Sequence, residues 1–438
     1  MKPLVIVSCP IDTYSGYGAR SRDIVLPIIK SGKYDVKILS QRWGSTPFGF
    51  LQLDNPDHKL MIDCLWNQPQ LPKQPDVWIQ ITVPNEFQPV GKFNIGITAG
   101  IETTLCAAPW IEGLNRMNLN LVSSQHAKSV FENSKFEKRN NQTQQAEGKI
   151  ELTAPVEVLF EGVNLDIYKK IDKFNTEIKE IIDDIKEDFN FLFVGHWLQG
   201  EIGQDRKDVG MLVKTFLETF KGKKSKPGLI LKTSSGTYSI MDRDAILDKI
   251  RKIEEAVGGD LPSIYLIHGE LTDEEVNELY NHPKVKAHIS FTKGEGYGRP
   301  LLEATLSQKP VIAPAYSGHV DFLNSDMSIL LPGQITQIHS SAVVQDMLIP
   351  ESGWFTVDYK QSVDYITDIY KNYKKYIDGA KKQAYRSRTE FSLEKMGEKL
   401  LSILDEKAPK TVEIKMPQLK KISLPKLKKN EGTTDNVS

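Results

Sequence analysis

Cysteine is scarce. The 438 residues hold three, Cys9, Cys64 and Cys106, an odd number confined to the first quarter of the chain. Neither a disulfide framework nor a zinc site fits them, and a reducing, cytoplasmic compartment is the expectation. Charge of one sign is also missing: 56 Lys and Arg stand against 57 Asp and Glu, a net of -1. No field over the whole molecule draws it to nucleic acid or a membrane, so any basic surface has to be local. Long apolar runs are absent, which leaves no transmembrane segment. The first short run, Leu4 to Val7, is too brief for a secretory signal and gives way to polar Ser8 and Asp12, so it is expected to be a strand. The histidines have no ligand spacing, and no Ser/His/Asp set can be assembled from their order.

What is present is alternation. Runs rich in Val and Ile at Leu4 to Val7, Val36 to Leu39, Val77 to Ile81, Ile95 to Thr98, Leu121 to Ser123 and Val156 to Phe160 are separated by segments of helical period. A second series follows at Phe191 to Val194, Leu229 to Lys232, Ile264 to Ile267, Ala287 to Ser290, Val311 to Ala313 and Ile329 to Leu331. Apolar strands alternating with helices imply parallel sheets covered on both faces, so the class is α/β with two open sheets. The expected division is a first domain over 1–160, expected on the acceptor side, a second over 161–385, expected to hold the nucleotide sugar, and a helix over 386–406. Met396, Leu400 and Ile403 give that helix an apolar face that suits a return to the first domain. From 407 to 438 the composition turns to Lys and Pro, which predicts a disordered tail with at most weak affinity for an anionic partner. Asn133 to Thr153, polar and Gln-rich, is expected as a long surface loop, and Lys169 to Glu187 as a charged helical stretch.

The strongest local signal is Lys293-Gly294-Glu295-Gly296-Tyr297-Gly298-Arg299-Pro300-Leu301-Leu302-Glu303-Ala304, directly after an expected strand. Pro300 suits the first helical position, and the glycines let backbone amides converge where the helix dipole favours an anion such as a diphosphate. Glu295 and Glu303 would then reach one ligand from two sides. The plainer account is a glycine turn with Glu303 complementing the dipole.

This segment resembles the signature of the group 1 glycosyltransferases of the GT-B fold, two glutamates separated by seven residues on a strand, turn and helix; Gln308 to Ala313 and Ser317-Gly318 extend the match. The resemblance implies two Rossmann-like, doubly wound domains facing each other across a cleft. It implies a retaining, metal-independent transfer of a sugar from a nucleoside-diphosphate sugar to an acceptor hydroxyl, with no cofactor beyond that co-substrate. The acceptor class, whether carbohydrate, lipid, protein or nucleic acid, is not legible. Carried over residue by residue, Glu303 binds the ribose, Glu295 contacts the transferred sugar, and the amides of Gly296, Tyr297, Gly298 and Arg299 hold the diphosphate.

The stretch from Phe193-Val194-Gly195-His196 to Asp205-Arg206-Lys207-Asp208 is similar to the loop with which that family grips the diphosphate. Lys207 fits the lysine of the pattern. His196 stands where an arginine is usual, so either His196 or Arg206 supplies that contact. Gly16 and Gly18, in Ser15-Gly16-Tyr17-Gly18 after the first strand, match a glycine loop facing the donor phosphates, though a plain turn explains them equally. Glu102 and His126 are the candidates for a group near the transferred sugar. Asp242-x-Asp244 has the spacing of a metal motif but opens a helix whose Ile246, Ile250 and Ile253 have helical spacing, so acidic capping accounts for it. A sugar phosphorylase, a nucleotide-sugar epimerase and a non-catalytic scaffold fit the same architecture, and no feature demands lysine-bound pyridoxal phosphate.

Overall fold

The computed structural model describes residues 2–139, 143 and 145–409. The expected tail lies, from 410 onward, outside the described residues. The first half of the chain carries β1 (Leu4–Cys9), β2 (Asp35–Ser40), β3 (Val77–Ile81), β4 (Phe93–Thr98), β5 (Leu119–Val122), a hairpin of β6 (Phe136–Arg139) and β7 (Ala146–Ile150), and β8 (Val156–Val158). Apart from the hairpin these strands form one parallel sheet in the order β2-β1-β3-β4-β5-β8. The second half repeats the plan with β9 (Asn190–Val194), β10 (Gly228–Lys232), β11 (Ile264–Ile267), β12 (Val285–Ile289), β13 (Val311–Pro314) and β14 (Ile329–Leu331), ordered β11-β10-β9-β12-β13-β14 and again all parallel. An antiparallel pair, β15 (Gly333–Gln337) and β16 (Gly353–Val357), follows.

The apolar runs are continuous because each sheet buries both faces. Along β1, Val5 and Val7 enter one core while Leu4 and Ile6 enter the other, and along β9 Phe191 and Phe193 part from Leu192 in the same way. Alternate side chains point to opposite faces, so a strand covered on both sides has no polar alternation to show.

The last helix, Leu393–Lys407, starts later than the expected 386, because residues up to Glu390 belong to a separate helix, Lys374–Glu390; it belongs to the first sheet by packing although it lies near the end of the described residues. Ser392 caps it by accepting from Lys395 N, and Met396, Leu400, Ile403 and Leu404 join the core that contains Val5 and Ile79. Burying four such side chains contributes roughly 6–12 kcal/mol before chain entropy is subtracted. Gly397 lets Pro27 of the helix Gly16–Lys30 come close, since a Cβ there would lie 3.1 Å from the proline ring.

Two expectations are corrected. The segment expected as a loop between Asn133 and Thr153 contains the β6–β7 hairpin, paired Phe136 to Ile150. Its strands carry one apolar anchor each, Phe136 and Ile150, which pack on the first core, so the sequence shows no alternation to detect. In the charged stretch only Ile178–Asp183 is helical. Upstream, the Glu278 carboxylate accepts from Asn175 N at 2.6 Å and Thr176 N at 3.1 Å, holding that backbone in a non-helical path.

Candidate functional site

In the second sheet the strand order reverses between β9 and β12, and the loops leaving the carboxyl ends of two such strands enclose a crevice where ligands approach. The loop after β9 carries Arg206 and Lys207; the loop after β12 carries Glu295. They meet. The Lys207 ammonium donates to Glu295 Oε1, and the Arg206 guanidinium lies 3.5 Å from Glu295 Oε2 and donates to the Gly294 carbonyl at 3.0 Å. From the first sheet, Glu102 in the loop after β4 reaches the same guanidinium at 3.4 Å. Burial alone would raise the Glu295 pKa, but the pull of Lys207 and Arg206 outweighs it and brings the group down to about 2.

The loop after β12 is pressed against the first half of the molecule. A Cβ on Gly294 would stand 2.1 Å from the Glu102 carbonyl oxygen, and one on Gly296 would stand 2.4 Å from that of Ala99, so only glycine fits either place. The Gly296 carbonyl accepts from Ser123 Oγ at 3.0 Å and Ser124 Oγ at 2.7 Å, both at the end of β5. The amides of Gly296, Tyr297, Gly298 and Arg299 donate to no group among the described residues. Gly298 is the N-cap of the short helix Arg299–Thr305. The Tyr297 side chain turns away into the core beside Phe322, so only its backbone faces the seam.

Glu303, on that short helix, belongs to a second charged group. Arg299 lies 2.6 Å from Asp23, 3.7 Å from Glu161 and 3.7 Å from Glu303, one cation among three carboxylates. Burial, reinforced by Asp273, Asp23 and Glu161 and opposed by Arg299, raises the Glu303 pKa to about 7.

The remaining candidates separate. His196 accepts or donates at Ser234 Oγ, 3.2 Å away, and burial together with Lys207 and Arg206 lowers its pKa, which favours the neutral ring. Of the two residues left open for the second cation, Arg206 is the one in contact with Glu295. Gly18 has a steric reason to be glycine, because a Cβ would meet the Thr13 carbonyl oxygen at 2.3 Å; beside Gly16 the space is open among the described residues. Glu102 joins the cluster, whereas His126 stands apart, edge-on to Tyr316 at 4.9 Å, with burial and His319 lowering its pKa to about 4. Asp242 accepts from Ser235 N and pairs with His268 Nε2 at 2.8 Å, while Asp244 pairs with Arg243, so the two do not converge. Among the described residues no three His, Cys, Asp or Glu side chains gather as a metal site would require.

Several groups had no local signal. Asp23 and Glu161 are ordinary acidic residues until the fold brings them to Arg299, and Ser123 and Ser124 gain meaning only at the carboxyl end of a strand. Lys232 did have one: it closes the apolar strand β10, is buried, and donates to the Gly269 carbonyl at 2.5 Å. A lysine ending an otherwise apolar run beside the crevice is a sign of a cation directed at a ligand or a carbonyl.

Solved structures with the same architecture span nearly the whole chain. The Anabaena protein HepE, in complex with UDP and glucose, matches 92% of this chain and 100% of its own at 12% identity and a TM-score of 0.58. A sucrose-phosphate synthase from Thermosynechococcus elongatus matches 93% of this chain and 99% of its own at 12% identity and a TM-score of 0.60. A glycosyltransferase from Rickettsia africae matches 93% and 98% at 13% identity and a TM-score of 0.58. No family model and no curated protein matches the sequence. The likeness establishes the architecture: two Rossmann-like domains in the GT-B arrangement.

Proposed function

We propose that this chain transfers a sugar from a nucleoside-diphosphate sugar to an acceptor hydroxyl at the seam between its two sheets, with retention of anomeric configuration and without a metal. The observation that carries this reading is the meeting of Lys207 and Arg206 with Glu295 across the switch point of the second sheet, closed from the other side by Glu102. Departure of a nucleoside diphosphate leaves negative charge on phosphate oxygens, and fixed cations and amides in a water-poor place stabilise that charge in the transition state. Lys207 and Arg206 exchange the Glu295 carboxylate for the donor diphosphate. Glu295, released, accepts from hydroxyls of the transferred sugar, and the unpaired amides from Gly296 to Arg299 donate to the phosphates. Glu303 serves the ribose. The acceptor hydroxyl attacks from the face the phosphate leaves, and its proton departs with the phosphate, so no protein nucleophile is needed.

The test is calorimetry with UDP-, GDP-, ADP- and dTDP-sugars, UDP-sugars first because HepE is seen with UDP and glucose. One base is expected to be selected, with the free diphosphate binding nearly as well, in EDTA as in its absence. Product anomers identified by NMR test retention. If no nucleotide binds at millimolar concentration the reading fails, and activity lost in EDTA and restored by Mg²⁺ or Mn²⁺ removes its metal-free part.

A further inference from the structure

Asp208 directly follows the cations Arg206 and Lys207 and stands at the N-cap of the helix Val209–Phe220. An aspartate in that place ordinarily accepts from an amide of the first helical turn. The Asp208 carboxylate makes no such bond, and Asp205 Oδ2 takes the Val209 amide instead, at 3.3 Å. The Asp208 backbone is left-handed, with φ 52° and ψ 34°, a region that glycine enters freely and that Asp and Asn enter more readily than other side chains. Its side chain is fully buried and engaged elsewhere. Asp208 Oδ2 accepts from the Tyr359 hydroxyl at 2.5 Å and lies 3.3 Å from the Lys293 ammonium, which also donates to Thr356 Oγ1 at 3.0 Å.

Two buried carboxylates, Asp205 and Asp208, thus stand near one buried cation. Burial raises the pKa of both; Lys293 and the Tyr359 hydroxyl hold Asp208 back, while Asp205, further opposed by the Asp208 charge, is pushed up to about 6. The ion pair belongs to Asp208. It runs beside the pair Lys207–Glu295, since Asp208 follows Lys207 and Lys293 precedes Glu295 by two residues. A backbone link joins the same two loops, the Lys293 amide donating to the Arg206 carbonyl at 2.7 Å.

We propose that Asp208 is a positioning residue for the transfer: its carboxylate, anchored on Lys293 and Tyr359, holds the turn that presents Lys207 to the donor diphosphate. The inference rests on the transferase reading above. A diphosphate that draws Lys207 and Arg206 from Glu295 breaks the ionic link between the two loops at the ligand. The Asp208–Lys293 pair, 0% and 2% exposed on its side chains, touches no ligand in that exchange and keeps the loops in register. Cations already fixed in place stabilise a phosphate without reorganising, so the anchor acts through Lys207 and not through a bond of its own.

The experiment measures nucleoside-diphosphate affinity by calorimetry for Asp208→Gly in the full chain, on the native and on the Lys207→Ala background, with whichever base the panel above selects. Glycine accepts the left-handed backbone, so the substitution removes the anchor and spares the turn. Affinity is expected to fall about fivefold on the native background and less than about twofold where Lys207 is already alanine, because residues that act as a unit are not additive. Tyr359→Phe, which loses one hydrogen bond and keeps the carboxylate and the lysine, is expected to weaken binding about threefold on the native background alone. It carries the test on the same two backgrounds if Asp208→Gly does not fold. Native affinity in both variants overturns the inference, and so does an equal fall on the two backgrounds, which is what loosened packing alone would give. Failure of nucleotide binding in the native protein would instead remove the transferase reading itself.

Discussion

Glu295 and Glu303 stand on one strand, turn and helix with nearly equal side-chain exposure, 12% and 13%, yet one titrates near 2 and the other near 7. Burial pushes both upward. The difference lies in the number of cations each can claim. Glu295 has Lys207 and shares Arg206 with Glu102 alone, while Glu303 shares the single Arg299 with Asp23 and Glu161 and feels Asp273 nearby. The same residue type at similar depth thus becomes a fixed anion in one place and a group that gains or loses its proton near neutrality in the other.

Breaking the first half of the comparison has the largest expected effect. Lys207→Ala removes the principal cation from Glu295 and, on the proposed reading, from the leaving phosphate, and turnover is expected to fall ~10²-fold or more, as when one charge-stabilising donor is removed. Steady-state kinetics with an unchanged circular-dichroism spectrum would check it; near-normal kinetics would show that the donor lies elsewhere. Next in size is Arg299→Ala, which leaves three carboxylates without their cation. Loss of one partner from a buried ionic group costs about 3 kcal/mol, so the urea midpoint should drop, and further at pH 8 than at pH 5, where Glu303 is protonated. An unchanged midpoint at both values would mean that Arg299 is not what holds the group together.

This contrast also marks the limit of what the sequence could say. The two series of apolar runs were legible because both faces of each sheet are covered, and the turn at Gly294 to Gly298 was legible because close approach to Ala99 and Glu102 leaves room only for glycine. Lys207, Arg206 and Glu295 are close to motif positions and could be nominated. That Arg206 and not His196 reaches Glu295 depends on distances between two loops, which spacing does not encode. Nor could sequence distinguish the two glutamates by charge state, since Asp23 and Glu161 reach Arg299 from 276 and 138 residues away. Strand β15 gave no strand signal because its residues are mostly exposed, whereas β16, Gly353–Val357, is buried and was passed over.

The second half of the comparison can be sharpened by pH. With an unfolded value of 4.5 and a folded value of about 7, Glu303 binds more protons in the native state between those limits. Its contribution to stability is therefore full below pH 4.5 and is lost as pH rises through 7. Glu303→Gln cannot ionise, so the variant should gain on the native protein by about 2 kcal/mol between pH 5 and pH 8. Urea unfolding of both across that range isolates the term, because all other titrating groups are common to the two. Parallel stability curves would place Glu303 in a better-solvated or better-paired setting than the structure gives it.

The smallest expected effect concerns Glu102, the one carboxylate of the cluster supplied by the first sheet. It is 27% exposed on its side chain and reaches Arg206 at 3.4 Å, so its pairing belongs with partly solvated ion pairs, worth about 0.2–1 kcal/mol. Glu102→Gln keeps the shape and removes the charge. Arg206 still has Glu295 and the Gly294 carbonyl, so the fold should be unaffected. What changes is the competition: one anion fewer faces the place where a diphosphate would bind, and nucleoside-diphosphate affinity is expected to rise by about two- to fivefold. The gain should shrink as salt is added, since a partly exposed charge is screened within a Debye length. Calorimetry at two ionic strengths reads both effects. Affinity that falls in Glu102→Gln, at either salt concentration, would mean that Glu102 contacts the ligand rather than competing with it, and the cluster would then have two acceptor groups for sugar hydroxyls instead of one.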